Sequence, residues 1–322
     1  MLSNFSCPPV LLLGFNRPDN TQKVFESIRR AKPKLFFMAV DGPREEREDD
    51  IEKTQLVKKL IEQIDWPCEV KTLFRDKNLG CKLAVVSAIN WFFESVESGI
   101  ILEDDCVPSP DFFEFSYVML QRYADDPKVM LISGTNFYAD QQRFGMQAGA
   151  FFSKYFSIWG WATWRRAWSQ YDVSLKSVGR KELAQELKKA FHSFWITFYY
   201  LQIYDEARHA KFAGWDYQWS FKILVSGGLC IVPASNLITN IGIDGFHYSA
   251  SSPDLRFLNL GMQSYEAYLV APVLKVEPAY HELLARDIFS DVSKLKLYIR
   301  ALLSFFGLTG LIFKWRSRKK KK

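Results

Sequence analysis

Three consecutive carboxylates, Glu103, Asp104 and Asp105, directly follow an apolar run at residues 100–102. Charged side chains are seldom buried unless something neutralises them, and a hard divalent cation with its preference for oxygen ligands is a common partner. Two prolines, at positions 108 and 110, then predict a turn into a helix. Strand, acids, turn and helix in this order predict a cation site at the carboxyl edge of an α/β sheet. A solvated acidic turn is the alternative.

Two further polar residues follow predicted strands. Arg17 comes after the apolar run at residues 10–15, and Asp41 ends the run at residues 35–40. An arginine can hold a phosphate or a carboxylate with two hydrogen bonds, and an aspartate can accept from a base or a ribose hydroxyl. Ligands of such sheets bind outside the carboxyl ends of the strands, so these residues and the acids predict a nucleotide and metal edge. For each residue alone, ordinary turn chemistry is the alternative.

A tryptophan-rich segment provides a candidate acceptor site. Trp159 and Trp161 flank Gly160, which lets the backbone turn or approach another group closely. Flat rings on either side of such a glycine can stack on a sugar or a base. We therefore take Trp159 and Trp161 as candidate acceptor-binding residues. An aromatic corner of the core is the alternative interpretation.

Asp216 is a candidate catalytic base, because it is the single acid in an aromatic stretch at residues 214–219. Desolvation by neighbouring rings raises the pKa of a carboxylate and makes it a better base. A helix N-cap is the alternative role. His247 follows Gly242 and Gly245, which is typical of a loop that turns an imidazole towards a ligand. A structural histidine is the alternative there.

The pattern of apolar segments predicts the fold class. Strands are expected at residues 10–15, 35–40, 69–74, 99–102, 129–133 and 230–233, and helices at residues 19–30, 44–64, 80–96, 181–209 and 215–225. Strands that alternate with helices predict a Rossmann-like α/β protein with a mostly parallel sheet flanked by helices. Aromatic density rises after residue 135. We therefore expect a nucleotide-binding half at 1–135, an aromatic-rich acceptor and catalytic half at 136–275, and a C-terminal region at 276–322.

Composition limits the function classes. The chain has 322 residues, of which 48% are hydrophobic, enough for a sizeable core. The net charge of the chain is +6, and positions 314–322 contain seven basic residues, so residues 1–313 carry a net charge of −1. A nearly neutral charge over the main part of the chain does not indicate a general nucleic-acid surface. The five cysteines are scattered, which predicts neither a zinc site nor disulfides and favours a cytoplasmic protein. The first nine residues indicate no signal peptide.

The C-terminal segment predicts a membrane contact. Residues 301–313 are largely apolar and are too few to cross a hydrocarbon core of about 30 Å, which needs about 20 residues. An apolar amphipathic helix followed by a basic cluster is typical of an interfacial helix on an anionic membrane. We therefore expect peripheral association with the inner face of the cell membrane. A terminal helix that packs on the core is the alternative.

Residues 99–115, GIILEDDCVPSPDFFEF, resemble the metal-binding segment of the N-acetylglucosaminyltransferase I family and of related bacterial family 2-like glycosyltransferases. The resemblance extends over roughly residues 8–250. It implies a GT-A fold, a nucleotide-sugar donor that is usually a UDP-sugar, Mn²⁺ with Mg²⁺ as the second candidate, and inversion at the anomeric carbon.

The resemblance also implies roles for single residues. Arg17 would contact the nucleotide and Asp41 the uridine. Asp105 would coordinate the metal, while Glu103 and Asp104 would touch the ribose or the sugar of the donor. The base would be Asp216, although this chain has one residue more before the next tryptophan than the family's Trp-Asp-Asp-Trp segment. His247 would belong to a glycine-rich loop that closes over the donor.

These observations predict a metal-dependent inverting glycosyltransferase, a hexosyl- or N-acetylhexosaminyltransferase. Its acceptor would be a glycan or a lipid-linked glycan in surface polysaccharide or lipopolysaccharide synthesis. A nucleotidyltransferase on a similar sheet is one alternative, although such enzymes usually carry a glycine-rich basic loop after the first strand, where this chain has Phe15-Asn16-Arg17-Pro18. A non-catalytic glycan-binding protein is the other alternative.

Overall fold

The fold is known from a computed structural model, which describes residues 5–139, 149–208, 214–242, 257–262 and 276–289. Ten strands lie in these residues: β1 (Val10–Gly14), β2 (Leu35–Val40), β3 (Glu69–Phe74), β4 (Ser98–Glu103), β5 (Cys106–Pro108), β6 (Val129–Ser133), β7 (Ala150–Ser153), β8 (Trp161–Trp164), β9 (Leu229–Pro233) and β10 (Ile238–Asn240).

Nine α-helices lie in the same residues: α1 (Pro18–Ala31), α2 (Glu48–Lys58), α3 (Gly80–Ser95), α4 (Pro110–Arg122), α5 (Arg165–Trp168), α6 (Arg180–Phe191), α7 (Phe194–Arg208), α8 (Asp216–Val225) and α9 (Pro278–Phe289). A short 3-10 helix, Lys59–Gln63, continues α2.

Eight of the strands form one sheet in the order β3-β2-β1-β4-β8-β6-β9-β7. The pairs β3/β2, β2/β1, β1/β4 and β6/β9 are parallel, and the pairs that involve β8 or β7 are antiparallel. Four of the seven pairs are therefore parallel, which confirms the predicted mostly parallel α/β sheet with flanking helices. The sheet runs across residue 135, so the two predicted halves share one sheet.

Both faces of the central strands are buried, which explains their continuous apolar sequences. In β1, Val10 and Leu12 pack with α1, α2 and α4 on one face, while Leu11 and Leu13 pack with α3 and α8 on the other. Alternate residues of a strand point to opposite faces, so a strand covered on both sides needs apolar residues at every position.

Several elements differ from the sequence predictions: strands β5, β7, β8 and β10 and helices α5 and α9 were not predicted, and one predicted helix is divided. Strand β8 lies between β4 and β6. The sequence did not predict it because its four residues are aromatic or small and show no alternation of polar and apolar side chains. The single helix predicted over residues 181–209 is two helices. The chain turns at His192, whose φ of 48° places it in the left-handed region, and its amide still bonds to the carbonyl of Lys188.

A second, small sheet brings a distant segment to the acid triplet. Strand β5, which follows the acids directly, pairs antiparallel with β10. The amide of Ile241 donates to the carbonyl oxygen of Asp105 at 2.9 Å. The chain from Asn240 to Gly242 therefore lies beside the acids, although about 135 residues separate them in sequence.

Helix α9 docks on β7 through a buried histidine. The backbone amide of Lys154 donates to Nε2 of His281 at 2.9 Å, and Oγ of Ser153 lies 2.9 Å from the same nitrogen. An amide can only donate, so Nε2 carries no proton and the imidazole is neutral. Burial and then the charge of Lys154 lower the pKa of His281 to about 4.

Two predictions concern residues outside the described part of the chain. These are the ligand-facing role of His247 and the interfacial helix at residues 301–313 with its basic cluster. Among the described residues, no helix has the length and the apolar character that crossing a membrane requires.

We expect the free energy of unfolding to decrease as the pH is lowered, because His281 is held neutral in the folded protein. The folded pKa is about 4 and the unfolded value about 6.5, so the unfolded chain binds a proton over this interval while the folded chain does not. Above about pH 7 the group contributes no pH dependence. Towards pH 4 the loss approaches about 3 kcal/mol in the free energy of unfolding.

The measurement is urea unfolding across this pH interval for the wild type and for His281→Gln, in which position 281 no longer titrates. The wild type should lose more stability on acidification than the variant. Parallel pH profiles would show that His281 is not held neutral in the fold.

Candidate active site

Arg17 joins the ends of β1 and β4. Its Nε donates to Asp104 Oδ2 at 3.3 Å, its Nη2 donates to Asp104 Oδ1, and its Nη1 donates to Asp105 Oδ2 at 2.9 Å. The parallel pairing sets Leu13 opposite Glu103, so both strands end at the same edge. Burial acts to lower the pKa of Arg17, but the two carboxylates outweigh it and raise that pKa above its ordinary value. One guanidinium thus neutralises charge on two acids.

Asp104 is buried, and Glu103 beside it is half-buried with its Oε1 atom out of contact with solvent. Burial raises the pKa of Asp104 to about 6 against the opposing charge of Arg17. Burial also raises the pKa of Glu103 well above its usual range, and the charges of Asp105, Asp104 and Asp216 act in the same direction. Oε1 of Glu103 has no hydrogen-bond partner among the described residues. A buried carboxyl oxygen in this state is a ready partner for a donor group of a ligand.

Asp105 lies where the two sheets meet and is more accessible than Asp104, with 13% of its side chain exposed. A Cβ atom added to Gly242 would lie 2.3 Å from Asp105 Oδ2, so only glycine fits there. The amide of Gly242 donates to Oδ1 of Asn240 at 2.8 Å, which fixes this close approach. The predicted glycine-rich loop therefore begins in contact with the acid triplet.

Asp41 follows β2 at the neighbouring strand end and is buried. Its carboxylate accepts hydrogen bonds from the amides of Gly42, Leu79 and Gly80 at 3.0 to 3.2 Å and from Nδ2 of Asn78 at 3.0 Å. The charge therefore sits at the amino end of α3, where exposed backbone amides favour an anion. In this structure Asp41 orders the start of α3 at the site edge.

Asp216 is the first residue of α8 and follows the N-cap residue, Trp215, so it is not the N-cap that the alternative predicted; its side chain is half-buried. Its charge is close enough to contribute to the raised pKa of Glu103. Burial, then the charge of Asp216, also raises the pKa of Tyr171. Trp161, which pairs with Ile101 of β4, stacks on Trp215, and this contact places Asp216 near the end of β4 that carries the acid triplet.

Stacked aromatic side chains fix the start of α8. The ring of Trp215 stacks on Trp161 with centroids 5.8 Å apart, and Tyr171 stacks on Trp168 at 4.4 Å. The hydroxyl of Tyr171 donates to the carbonyl oxygen of Trp215 at 3.0 Å. These contacts hold the residue that precedes Asp216 and so set the position of the candidate base.

The two candidate acceptor-binding tryptophans have different environments. Trp161 lies in β8 with no exposed surface and packs in the core, as the alternative for this segment predicted. Trp159 is half-buried and makes an edge contact with Phe137, with centroids 5.4 Å apart. Its carbonyl accepts from the hydroxyl of Thr135 at 2.8 Å. Trp159 has accessible surface for an acceptor, whereas Trp161 positions Trp215.

The structure thus brings five predicted residues to one edge: Arg17, Glu103, Asp104, Asp105 and Asp216. Asp41 lies at the next strand end, and His247 lies outside the described residues. Three contributors were missed in the sequence, namely Tyr171, Asn240 and the close packing of Gly242. Tyr171 and Gly242 act through contacts with residues far away in sequence, which no local pattern could have identified, and Asn240 acts through its bond to the amide of Gly242.

The oxygen ligands at this edge fit a hard divalent cation. Asp105 has the more accessible carboxylate. Its Oδ2 accepts a hydrogen bond from Arg17, and the thiol sulfur of Cys106 lies 3.3 Å from its Oδ1. Within the described ranges, no three His, Cys, Asp or Glu side chains are grouped as a metal cage. Magnesium and similar ions are often held by one or two carboxylates together with substrate phosphates, and the edge has the residues for that arrangement.

A surface cavity of about 470 Å³ lies near the start of α2. It is lined by residues 43–48, Ile51 and residues 76–78, and the acid triplet is not among them. Asn78 in its wall bonds to Asp41, which connects this cavity with the strand ends. Its volume is within the range of small-molecule sites.

No family model matches the sequence, and no curated protein matches it. Similar solved structures include a mannosyltransferase from Pyrobaculum calidifontis in complex with GDP-Man and Mn²⁺, at 10% identity over 70% of this chain and 74% of that chain, with a TM-score of 0.37. The inositol-1-phosphate CTP transferase from T. maritima has 10% identity over 74% and 90%, with a TM-score of 0.39. Mouse xyloside xylosyltransferase 1 has 12% identity over 66% and 80%, with a TM-score of 0.34. All three TM-scores lie below 0.5.

Replacing Arg17, whose guanidinium neutralises Asp104 and Asp105, should destabilise the protein. In Arg17→Met, Asp104 and Asp105 lose their shared partner, and removing one member of a buried ion pair typically costs about 3 kcal/mol or more. Adding Asp104→Asn removes one of the uncompensated charges, so the double variant should be more stable than Arg17→Met alone.

Urea unfolding of the wild type, both single variants and the double variant gives the coupling energy directly. If the loss in unfolding free energy of the double variant equalled the sum of the losses of the two single variants, the ion pair would not be the interaction that stabilises this edge.

Proposed function

We propose that this chain is a metal-dependent inverting glycosyltransferase with a GT-A fold. The observation that carries the proposal is the meeting of Arg17, the acid triplet and Asp216 at one edge of a mostly parallel sheet. The edge combines a guanidinium for a phosphate, carboxylates for a cation and a half-buried acid for a proton. A metal-dependent inverting transfer from a nucleotide sugar uses these three functions together.

The donor would be a nucleotide sugar, with a UDP-sugar as the first choice. Asp105 would hold the divalent ion, Mn²⁺ or Mg²⁺, together with oxygens of the diphosphate. When bound, such an ion neutralises the negative charge that develops on the leaving diphosphate. Arg17 would exchange part of its contact with the acids for the nucleotide phosphates. Glu103 and Asp104 would face the ribose or the sugar, where the unpaired Oε1 of Glu103 is available.

Asp216 would act as the general base. It would accept the proton of an acceptor hydroxyl while the hydroxyl oxygen attacks the anomeric carbon. The new carbon–oxygen bond forms as the bond from that carbon to the diphosphate breaks, so the diphosphate leaves with the electron pair. Attack from the opposite side inverts the configuration. The half-buried position of Asp216 at the start of α8 suits a base that must meet both donor and acceptor.

Other residues would position the substrates. Asp41 would bind the uridine, its carboxylate fixed beside the start of α3, and His247 would belong to a loop over the donor. Trp159 would contact the acceptor, and Trp161 would act through Trp215. The acceptor would be a glycan or a lipid-linked glycan of surface polysaccharide or lipopolysaccharide, and the sugar a hexose or an N-acetylhexosamine. The protein would be cytoplasmic and would meet an anionic membrane through its basic C-terminal cluster.

A nucleotide sugar should stabilise the protein, and the divalent ion should increase this effect. At a ligand concentration about 100 times the dissociation constant, stabilisation is about 2.7 kcal/mol. Thermal unfolding with UDP- and GDP-sugars, with and without Mn²⁺, measures it. Asp105→Asn should lose the increment due to Mn²⁺ and keep part of the effect of the nucleotide.

Nucleoside triphosphates serve as the comparison in the same screen. Stabilisation by CTP or UTP but by no nucleotide sugar would indicate a nucleotidyltransferase. The absence of any shift with every nucleotide would contradict the proposal.

Removing the base should separate binding from transfer. In Asp216→Asn, the acceptor hydroxyl has no group to take its proton, so transfer should fall by about 100-fold or more, while the thermal shift by donor and Mn²⁺ remains. The measurement is Mn²⁺-dependent release of the nucleoside diphosphate from the stabilising donor. Glu182→Gln, which changes an acid in the first turn of α6, is the matched control and should retain transfer. Full transfer by Asp216→Asn would eliminate its role as base.

A further inference from the structure

The first two turns of α7 carry three neighbouring aromatic side chains, of which one is exposed and two are half-buried. Phe194 is 67% exposed, and its ring is nearly parallel to that of Phe198, with centroids 6.2 Å apart and 12° between the planes. Trp195 contacts Phe194 edge-on at 5.6 Å. Positions i and i+4 are neighbours on a helix, and Trp195 reaches Phe194 through its edge contact, so the three rings adjoin one another.

The opposite side of α7 already accounts for the fold of this region. Its buried residues pack with α6 and α8 in a separate core cluster that includes Ile196, Tyr200, Ile203 and Tyr204. The three rings on the outer side therefore add little to that core. One exposed ring with two half-buried rings beside it, away from the core, forms a candidate interaction site.

Basic residues border the aromatic surface. Lys188 and Lys189 lie exposed in the last turn of α6, immediately before the turn that leads to Phe194. Lys189 and Lys154 both approach Glu186, at 2.7 and 3.8 Å. With Lys188, this gives three positive charges and one negative charge, a net charge of +2. We call these lysines with the rings of Phe194, Trp195 and Phe198 the aromatic corner.

Acidic residues of α7 are remote from the aromatic corner. Asp205 lies seven residues beyond Phe198, about 10 Å along the helix at 1.5 Å per residue, and it is paired with Arg180 at 2.9 Å. The aromatic corner therefore presents a positive, apolar surface at one end of α7, while the other end is polar and neutralised.

We propose that the aromatic corner docks on an anionic lipid bilayer. Tryptophan and other aromatic rings partition to the level of the lipid headgroups, and lysines beside them are attracted to anionic headgroups. Protein interfaces, in contrast, are depleted in lysine. The charge of the corner complements an anionic surface, and its rings are positioned to enter the interfacial layer. This contact is separate from the basic C-terminal cluster and does not depend on the proposed enzymatic activity.

The candidate base lies beyond the inner side of α7. Tyr200, two residues after Phe198, is on the buried side of this helix and packs against Tyr217 with centroids 6.1 Å apart. Tyr217 follows Asp216 directly. Helix α7 therefore separates a bilayer docked on the aromatic corner from Asp216.

Vesicle flotation with the full chain tests the proposal. The probes are vesicles of phosphatidylcholine alone and of phosphatidylcholine with phosphatidylglycerol. Phe194→Ser should weaken binding to the anionic vesicles about tenfold, equivalent to about 1.4 kcal/mol. Ile51→Ser is the matched control, because Ile51 is 57% exposed on α2, and it should bind as the wild type does.

A second pair of variants tests the charges. Lys188→Gln should weaken binding about fivefold on anionic vesicles, since one basic residue near such a surface contributes about that factor. Lys181→Gln, at the other end of the same exposed helix, should leave binding unchanged. All variants keep the C-terminal cluster, so its contribution cancels.

Three results would overturn the proposal. Wild-type protein that does not float with anionic vesicles has no such contact. Equal binding by Phe194→Ser and the wild type would show that another surface makes it. A concentration-dependent dimer that Phe194→Ser abolishes, with vesicle binding unchanged, would assign the aromatic corner to a second copy of the chain.

Discussion

The ion pairs of Arg17 with Asp104 and Asp105 are the interaction on which the site depends. Burial of carboxylates at a strand end is costly, and one guanidinium that bonds to both acids makes it possible. The same contact joins the ends of β1 and β4 and so defines the sheet edge. In the proposed function, a divalent ion would supply positive charge to these acids while Arg17 contacts a phosphate.

The second requirement is the position of Asp216 relative to these acids. It is met by aromatic packing: Trp161 in the sheet stacks on Trp215, and Tyr171 bonds to the carbonyl of the same residue. The aromatic richness of residues 151–219 therefore serves mainly to hold elements together. At the aromatic corner the same residue types face outward, and there they form a surface for a partner.

Much of the fold could be predicted from the sequence. Strands covered on both faces must be apolar throughout, so β1, β2, β4 and β6 were visible as uninterrupted runs. Strand β8 escaped prediction because its four residues are aromatic or small and resemble the segments around them. The break at His192 was also invisible, since a single left-handed residue within a helical pattern needs no glycine or proline to mark it.

The sequence by itself determined that acids, an arginine and polar turns follow apolar strands, and parallel strands place such residues at one edge. That is a local property of each segment combined with one rule of sheet geometry. Only the tertiary structure decided which acid is paired, which tryptophan is buried, and that Gly242 touches Asp105. These are contacts between residues tens to more than a hundred positions apart, and their energies depend on burial and distance, which no local sequence pattern contains.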